Sequence, residues 1–194
     1  FVLWTWRDGE PARRRQGRLD PVTRHQKISF ASQSRAEDCC AGKERRTHPR
    51  QGRNLFDLLC QYNDIPYEIV NKEKCCGMPK LELGDLDGVA ELASANLPVL
   101  AKYARDGYAI LTAIPSCTLM FKQEIPLLMP ENADAKAVQD AMWDPFEYLV
   151  ARQKDGLLKT DFKTELGAVS YHIPCHSRVQ NVGKKTEEML KLVP

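Results

Sequence analysis

The sequence predicts an α/β protein with an open, mostly parallel sheet, flanking helices, and cysteine loops at the carboxyl ends of the strands. Three observations predict this class. An apolar helical period runs through residues 86–105. A continuous apolar run at 108–114 is typical of a strand buried on both faces of a parallel sheet. A cysteine site follows each of three predicted strands, and ligands of open α/β sheets bind at that edge.

The charge balance is uneven along the 194 residues. The whole chain carries 28 Lys and Arg against 26 Asp and Glu, a net charge of +2, which argues against a uniformly basic nucleic-acid-binding protein. Residues 1–53 carry 11 Arg and 2 Lys against 6 acidic residues, a net of +7. Residues 54–194 carry 3 Arg and 12 Lys against 20 acidic residues, a net of −5. No apolar run approaches the roughly 18 residues that a membrane-spanning helix needs.

The basic head, residues 1–53, has neither a helical nor a strand period. Such a segment buries too little apolar surface to offset its ordering entropy, so we expect it to be disordered. An arm that binds RNA or a membrane surface is one alternative. Translation of a shifted reading frame is another, because the Arg-rich head ends abruptly at a well-patterned domain, residues 54–194.

The first patterned elements lead to a cysteine pair. Leu55, Leu58 and Leu59 form a short helical stripe. The segment at 67–71, YEIVN, alternates as a strand does, and the loop with the vicinal cysteines follows it.

The helix at 86–105 has clear boundaries. Asp85 occupies the N-cap position before the apolar period begins. Gly107 is placed to close the helix, and Pro98 is expected to kink it. The later predicted elements are a strand at 108–114, helices at 117–128, 134–142 and 145–154, a strand at 168–173, and a helix at 177–192.

The seven cysteines favour metal or redox chemistry over a disulfide framework, because their number is odd and the start of the sequence lacks a secretory pattern. Cys75 and Cys76 follow the strand at 67–71, Cys117 follows the strand at 108–114, and Cys175 follows the strand at 168–173. The carboxyl ends of parallel strands share one edge of a sheet. We therefore expect these sulfurs to converge, with helix N-termini favouring the thiolate form.

Four segments carry a resemblance to a known family. They read CCGMPKLELGD at 75–85, PSCTLMFKQEIPLL at 115–128, DPFEYL at 144–149 and YHIPCH at 171–176. With these segments, residues 54–194 resemble the cysteine-rich CCG domain of iron–sulfur oxidoreductases, as it occurs in the B subunit of heterodisulfide reductase and the C subunit of anaerobic glycerol-3-phosphate dehydrogenase. The resemblance implies a partial domain that contains the first of two motifs and the start of the second.

The resemblance also implies a ligand set. Cys75, Cys76 and Cys117 would ligate an iron–sulfur cluster of the 4Fe–4S type, and Cys175 would open the second motif. A lone cysteine precedes each pair in this family, and 34 residues separate Cys40 from Cys75. The surrounding AEDCCAGKERR does not look like a strand end, so a coincidental spacing is the alternative. Three cysteines with water or a histidine would suit zinc instead.

Other residues near these motifs have simpler interpretations. Cys60, on a predicted helix, is expected to pack in the core. Ser116 is placed to donate a hydrogen bond to a sulfur. His176 could ligate a metal or donate a proton, or form a hydrogen bond at a helix start. Met120 stands where a further cysteine occurs in the heterodisulfide reductase type.

The resemblance implies electron transfer from a flavoprotein dehydrogenase subunit or domain to a quinone or a thiol/disulfide acceptor. It implies a cytoplasmic protein, either free or peripheral at the inner face of the cell membrane, and no nucleic-acid partner. No motif for hydrolysis or group transfer is found. The alternatives are an interaction module that is stabilised by zinc or a cluster without redox turnover, and a non-functional fragment.

Overall fold

A computed structural model describes residues 58–70 and 73–194, together with the backbone of three short strands nearer the amino terminus. The basic head, which is predicted to be disordered, lies almost entirely outside the described residues. Cys40, a predicted ligand, and Leu55 lie wholly outside them.

Among the described residues, six short strands form two three-stranded sheets. The strands are β1 (Val2–Leu3), β2 (Thr5–Trp6), β3 (Gln26–Ser29), β4 (Tyr67–Ile69), β5 (Ile110–Leu111) and β6 (Met142–Trp143). One sheet has the order β1-β5-β6 and the other has the order β2-β3-β4. The pairs β3–β4 and β5–β6 are parallel, whereas β1–β5 and β2–β3 are antiparallel. These small parallel pairs among many helices are consistent with the predicted α/β class, but the described residues do not show an extended open, mostly parallel sheet.

Helices make up most of the described structure. They are α1 (described over 58–62), α2 (Met78–Glu82), α3 (Leu86–Arg105), α4 (Pro115–Leu119), a π-helical segment (Met120–Glu124), α5 (Ile125–Leu128), α6 (Ala133–Ala141), α7 (Pro145–Lys154), α8 (Cys175–Val179) and α9 (Lys185–Leu190). Among the described helices, none is both long enough and apolar enough to cross a membrane.

Helix α3 has the bounds that its sequence predicts. The Asp85 side chain accepts a hydrogen bond from the Gly88 backbone N–H at 2.9 Å, which caps the helix start. Gly107 has a φ of +86°, which suits glycine just after a helix end. Pro98 lies inside the helix without ending it. The buried face of α3 packs against α6 and supports the loop that carries the first cysteine pair.

In the described part of the chain, two clusters of buried side chains form the core. The larger cluster lies between α3, α4, the π-helical segment and α6, and it includes Cys76, Cys117 and Met120. The smaller cluster contains Cys60 and Tyr148. Cys60 is fully buried there, in agreement with its expected packing role.

The carboxy-terminal elements differ from their prediction. Residues 168–173 have no regular secondary structure, and 168–172 are exposed, so the predicted strand is wrong. Alternation of apolar residues yields a strand only where a neighbouring strand supplies hydrogen bonds, and no described strand pairs with this segment. The helix predicted at 177–192 is broken into α8 and α9, because Gly183 adopts a φ of +80° between them.

Candidate functional site

The vicinal cysteines lie on an irregular loop between β4 and α2. Cys75 is half-buried, and Cys76 is 3% exposed. Gly77, at the N-cap of α2, has a φ of +90°, a backbone conformation that residues other than glycine rarely adopt. The chain therefore turns sharply at Gly77, directly after the two thiols.

Cys117 lies in the first turn of α4, just after β5. Pro115 occupies a first-turn position of α4, where its missing N–H costs no hydrogen bond. The Cys117 backbone N–H donates to the Ile114 carbonyl at 3.0 Å. The side chain is 6% exposed. The cysteine sites after β4 and β5 are thus placed at strand carboxyl ends, as the sequence predicts.

The side chains of these three cysteines meet. Cys76 forms side-chain hydrogen bonds with Cys117 and with Cys75. These bonds, together with burial, raise the pKa of the Cys76 thiol well above its ordinary value. The hydrogen bond from Cys76 lowers the pKa of Cys117, and a hydrogen bond from Ser116 lowers it further. Of Cys76 and Cys117, Cys117 is therefore the first to become a thiolate, and Cys76 retains the shared proton. We call Cys75, Cys76 and Cys117 the thiol cluster.

Asn96, on α3, is a residue of this site that the sequence reasoning missed. Its side chain is 1% exposed and forms three hydrogen bonds with the backbone of Lys74 and Cys75. The available signal was an amide side chain within the apolar stripe of α3, where most buried positions are aliphatic.

Cys175 does not join the thiol cluster. It is exposed at the start of α8, and no described hydrogen bond links it to the three thiols. Helix α8 nevertheless packs against α4, and the buried Gln180 amide donates to the Pro115 carbonyl at 3.1 Å. His176 Nε2 lies 3.6 Å from Glu82 Oε1 on α2, an ion pair when the imidazole is protonated. The segment that begins at Cys175 therefore lies beside α2 and α4, the helices at the two cysteine sites of the thiol cluster.

The thiol cluster fits a thiophilic group in the chemistry of its donors. Three thiols, of which Cys76 is hydrogen-bonded to the other two, supply the kind of ligand that iron–sulfur clusters and zinc prefer. In the part of the chain that the structure describes, however, no group of three or more His, Cys, Asp or Glu side chains is arranged to hold a metal ion. Cys40 lies outside that part, so the role of these cysteines as ligands stays a prediction.

The class of domain is defined by comparison with known families. Residues 38–122 match the family model of the CCG cysteine-rich domain, and this range contains Cys40 and all of the thiol cluster. Over this range the chain is similar to the CCG cysteine-rich domain, as its motifs indicate.

Two curated relatives that the chain matches are subunits of larger oxidoreductases. The chain is 27% identical over 149 residues to the C subunit of anaerobic glycerol-3-phosphate dehydrogenase from Escherichia coli K12, a match that covers 76% of this chain and 36% of that protein. It is 27% identical over 148 residues to the B subunit of the CoM/CoB fumarate reductase from Methanothermobacter marburgensis, a match that covers 75% of this chain and 27% of that protein. The chain thus spans about a third of the length of the curated relatives it matches. No solved structure matches it.

Proposed function

We propose that this chain is the cluster-binding part of an iron–sulfur electron-transfer subunit of an oxidoreductase. The observation that carries the proposal is the thiol cluster, in which Cys75 and Cys76 of one loop meet Cys117 of another. The homology to subunits of a glycerol-3-phosphate dehydrogenase and a fumarate reductase supports it.

In this proposal, Cys75, Cys76 and Cys117 hold the cluster as thiolates, with Cys40 as the fourth ligand. A bound cluster supplies one-electron chemistry. The chain's own part is to keep the ligands buried, because burial and hydrogen bonds to sulfur set the reduction potential of a cluster. Ser116 contributes such a hydrogen bond at Cys117.

We further propose that electrons come from a flavoprotein dehydrogenase subunit or domain and pass to a quinone or a thiol/disulfide acceptor. Cys175 would provide the first ligand of a second cluster in this arrangement. The protein would act in the cytoplasm, held at the inner face of the membrane through its partner subunit.

Anaerobic reconstitution of the full chain with ferrous iron and sulfide tests the proposal. We expect broad visible absorbance that bleaches on reduction, which Cys76→Ser and Cys117→Ser should each reduce strongly. Cys60→Ala is the matched control, because this cysteine is buried in the smaller core cluster and should leave the absorbance unchanged.

A wild-type chain that takes up one zinc ion tightly and shows no such absorbance would contradict the redox proposal. That result would favour a zinc-stabilised interaction module, since three thiolates with a further ligand suffice for zinc.

A further inference from the structure

We propose that Asn96 is the positioning residue of the thiol cluster. It fixes the backbone that carries Cys75 and Cys76 so that their thiols meet Cys117. This inference rests on the proposed function, because it concerns the same cysteines as ligands.

The contacts of Asn96 use both atoms of its amide group. Its Oδ1 accepts a hydrogen bond from the Lys74 N–H at 2.7 Å. Its Nδ2 donates to the Cys75 carbonyl at 3.0 Å and to the Lys74 carbonyl at 3.3 Å. One side chain thus fixes the direction of three successive peptide groups next to the first ligand.

The loop needs such a partner because it forms no regular secondary structure of its own. Residues 73–77 belong neither to β4 nor to α2, yet buried peptide groups require hydrogen-bond partners. Asn96 is 1% exposed, so water has little access to its amide group. A side chain there must both donate and accept, which aspartate cannot do when ionised.

The loop lies on α3, and this position links the three Asn96 hydrogen bonds, which we call the Asn96 clamp, to Cys76. A β-carbon built on Gly77 would lie 3.6 Å from Leu92 Cδ1 and 3.7 Å from the Val89 α-carbon, so the loop runs directly over this helix. The Met78 backbone N–H then donates to the Cys76 side chain. Cys76 is therefore held between the Asn96 clamp on one side and the start of α2 on the other.

Asn63 provides a matched control elsewhere in the chain. It is also a buried asparagine, and it also joins two backbone segments: its Nδ2 donates to the Leu59 carbonyl at 2.9 Å, and its Oδ1 accepts from the Lys159 N–H at 2.7 Å. Removing either amide should lower stability, but only the loss of Asn96 should disturb the thiol cluster.

The test is an anaerobic titration of the full chain with Cd²⁺, followed by the thiolate–cadmium charge-transfer band. The relevant site is the one that Cys76→Ser removes from the wild-type chain. We expect Asn96→Ala to weaken cadmium binding at this site by about 10- to 100-fold, the range for residues that orient metal ligands. We expect Asn63→Ala to change it by less than about threefold.

Asn96→Asp keeps the size of the side chain and serves as the test if Asn96→Ala does not fold. It should also weaken cadmium binding, since an ionised carboxylate would face two carbonyl oxygens. Unchanged cadmium affinity in a folded Asn96 variant would overturn the inference. An equal loss in Asn63→Ala, or the absence of a cadmium site that depends on Cys76, would also overturn it.

The two proposals can fail separately. A wild-type chain that binds cadmium through the thiol cluster but assembles no iron–sulfur cluster contradicts the proposed function. In that case, a selective loss of cadmium affinity in the Asn96 variants still supports the positioning role.

Discussion

Gly77 determines how the chain leaves the cysteine pair. Its positive φ turns the backbone into α2, so that the Met78 N–H can reach the Cys76 side chain. A β-carbon at Gly77 would meet Met120 Cε at 3.7 Å, an ordinary van der Waals contact. The need for glycine therefore comes from the backbone conformation and not from lack of space.

We predict that Gly77→Ala destabilises the chain by about 1–2 kcal/mol, the energy of a left-handed conformation for a residue with a β-carbon. It should also weaken cadmium binding, because relaxation of this turn moves Cys76. Gly84→Ala is the control, since Gly84 has a similar φ of +76° with no atom within 4 Å of an added β-carbon. Urea unfolding and cadmium titration of both variants provide the measurements. Equal cadmium affinities of the two variants would argue against a role for this turn at the site.

Helices with strong end signals were predicted well, whereas the strands were predicted only in part: β4 and β5 are shorter than expected, and the strand at 168–173 is absent. Residues 86–105 and 145–154 form helices with the predicted bounds, because Asp85 and Asp144 cap them and an apolar period fills the α3 face. Local hydrogen bonds of this kind are encoded within a few residues. The strand expected at 168–173 needed a distant partner strand, about which a short alternating pattern carries no information.

The candidate site likewise has features that a short stretch of sequence predicts and others that depend on contacts between distant residues. The sites of Cys75, Cys76 and Cys117 could be located from the sequence, because they come a few residues after the short strands β4 and β5. The site of Cys175 could not, because no strand directly precedes it. The clamp by Asn96 depends on the packing of α3 against a loop more than 20 residues earlier. A polar residue in an apolar stripe indicates burial with a partner but does not identify that partner.

Asp144 caps α7 from a buried position, and this leads to a prediction that depends on pH. Its carboxylate accepts hydrogen bonds from the Phe146 and Glu147 N–H groups at 2.9 Å and 3.3 Å, and the Glu147 side chain completes a capping box. Burial is the main cause that raises the pKa of Asp144 above its ordinary value of 3.8. The folded state therefore holds the Asp144 proton more tightly than the unfolded chain does. The stabilisation that this protonation gives to the folded state is complete below pH 3.8, and it is lost as the pH rises through the folded-state pKa of Asp144.

We expect Asp144→Asn to be close to neutral near pH 7, since asparagine also caps helices, and to remove this part of the pH dependence. Asp144→Ala should destabilise the chain by about 1 kcal/mol at neutral pH. Free energies of unfolding measured in urea between about pH 4 and pH 7 test both statements. The account would be wrong if Asp144→Asn kept the wild-type slope of stability against pH.

The molecule as a whole has a packed region and an exposed one. Two members of the thiol cluster, Cys76 and Cys117, lie within the larger core cluster with residues of α3, α4 and α6. Between α7 and α8 the chain has no regular secondary structure, and residues 159–172 are exposed. This stretch carries half-exposed apolar side chains, namely Phe162, Leu166, Val169 and Tyr171, which are 39–50% exposed.

The exposed stretch should therefore be cut by trypsin before the packed helices are. Cleavage needs an extended backbone segment that can leave its hydrogen bonds, and exposed segments without regular structure open most easily. Lys163 lies within the stretch and is exposed. Lys136 is a suitable control within the same chain, because its side chain is 64% exposed but lies on α6, which packs against α3.

We expect cleavage after Lys163 to be at least about tenfold faster than cleavage after Lys136. Peptide mass spectrometry at early times of digestion measures the two rates in one sample, and Lys163→Gln should remove the early cut. Binding of cadmium to the thiol cluster should slow cleavage after Lys136 more than cleavage after Lys163, because ligand binding stabilises the core that α6 helps to form. Equal rates at the two lysines would mean that the region between α7 and α8 is as protected as the helices around the thiols.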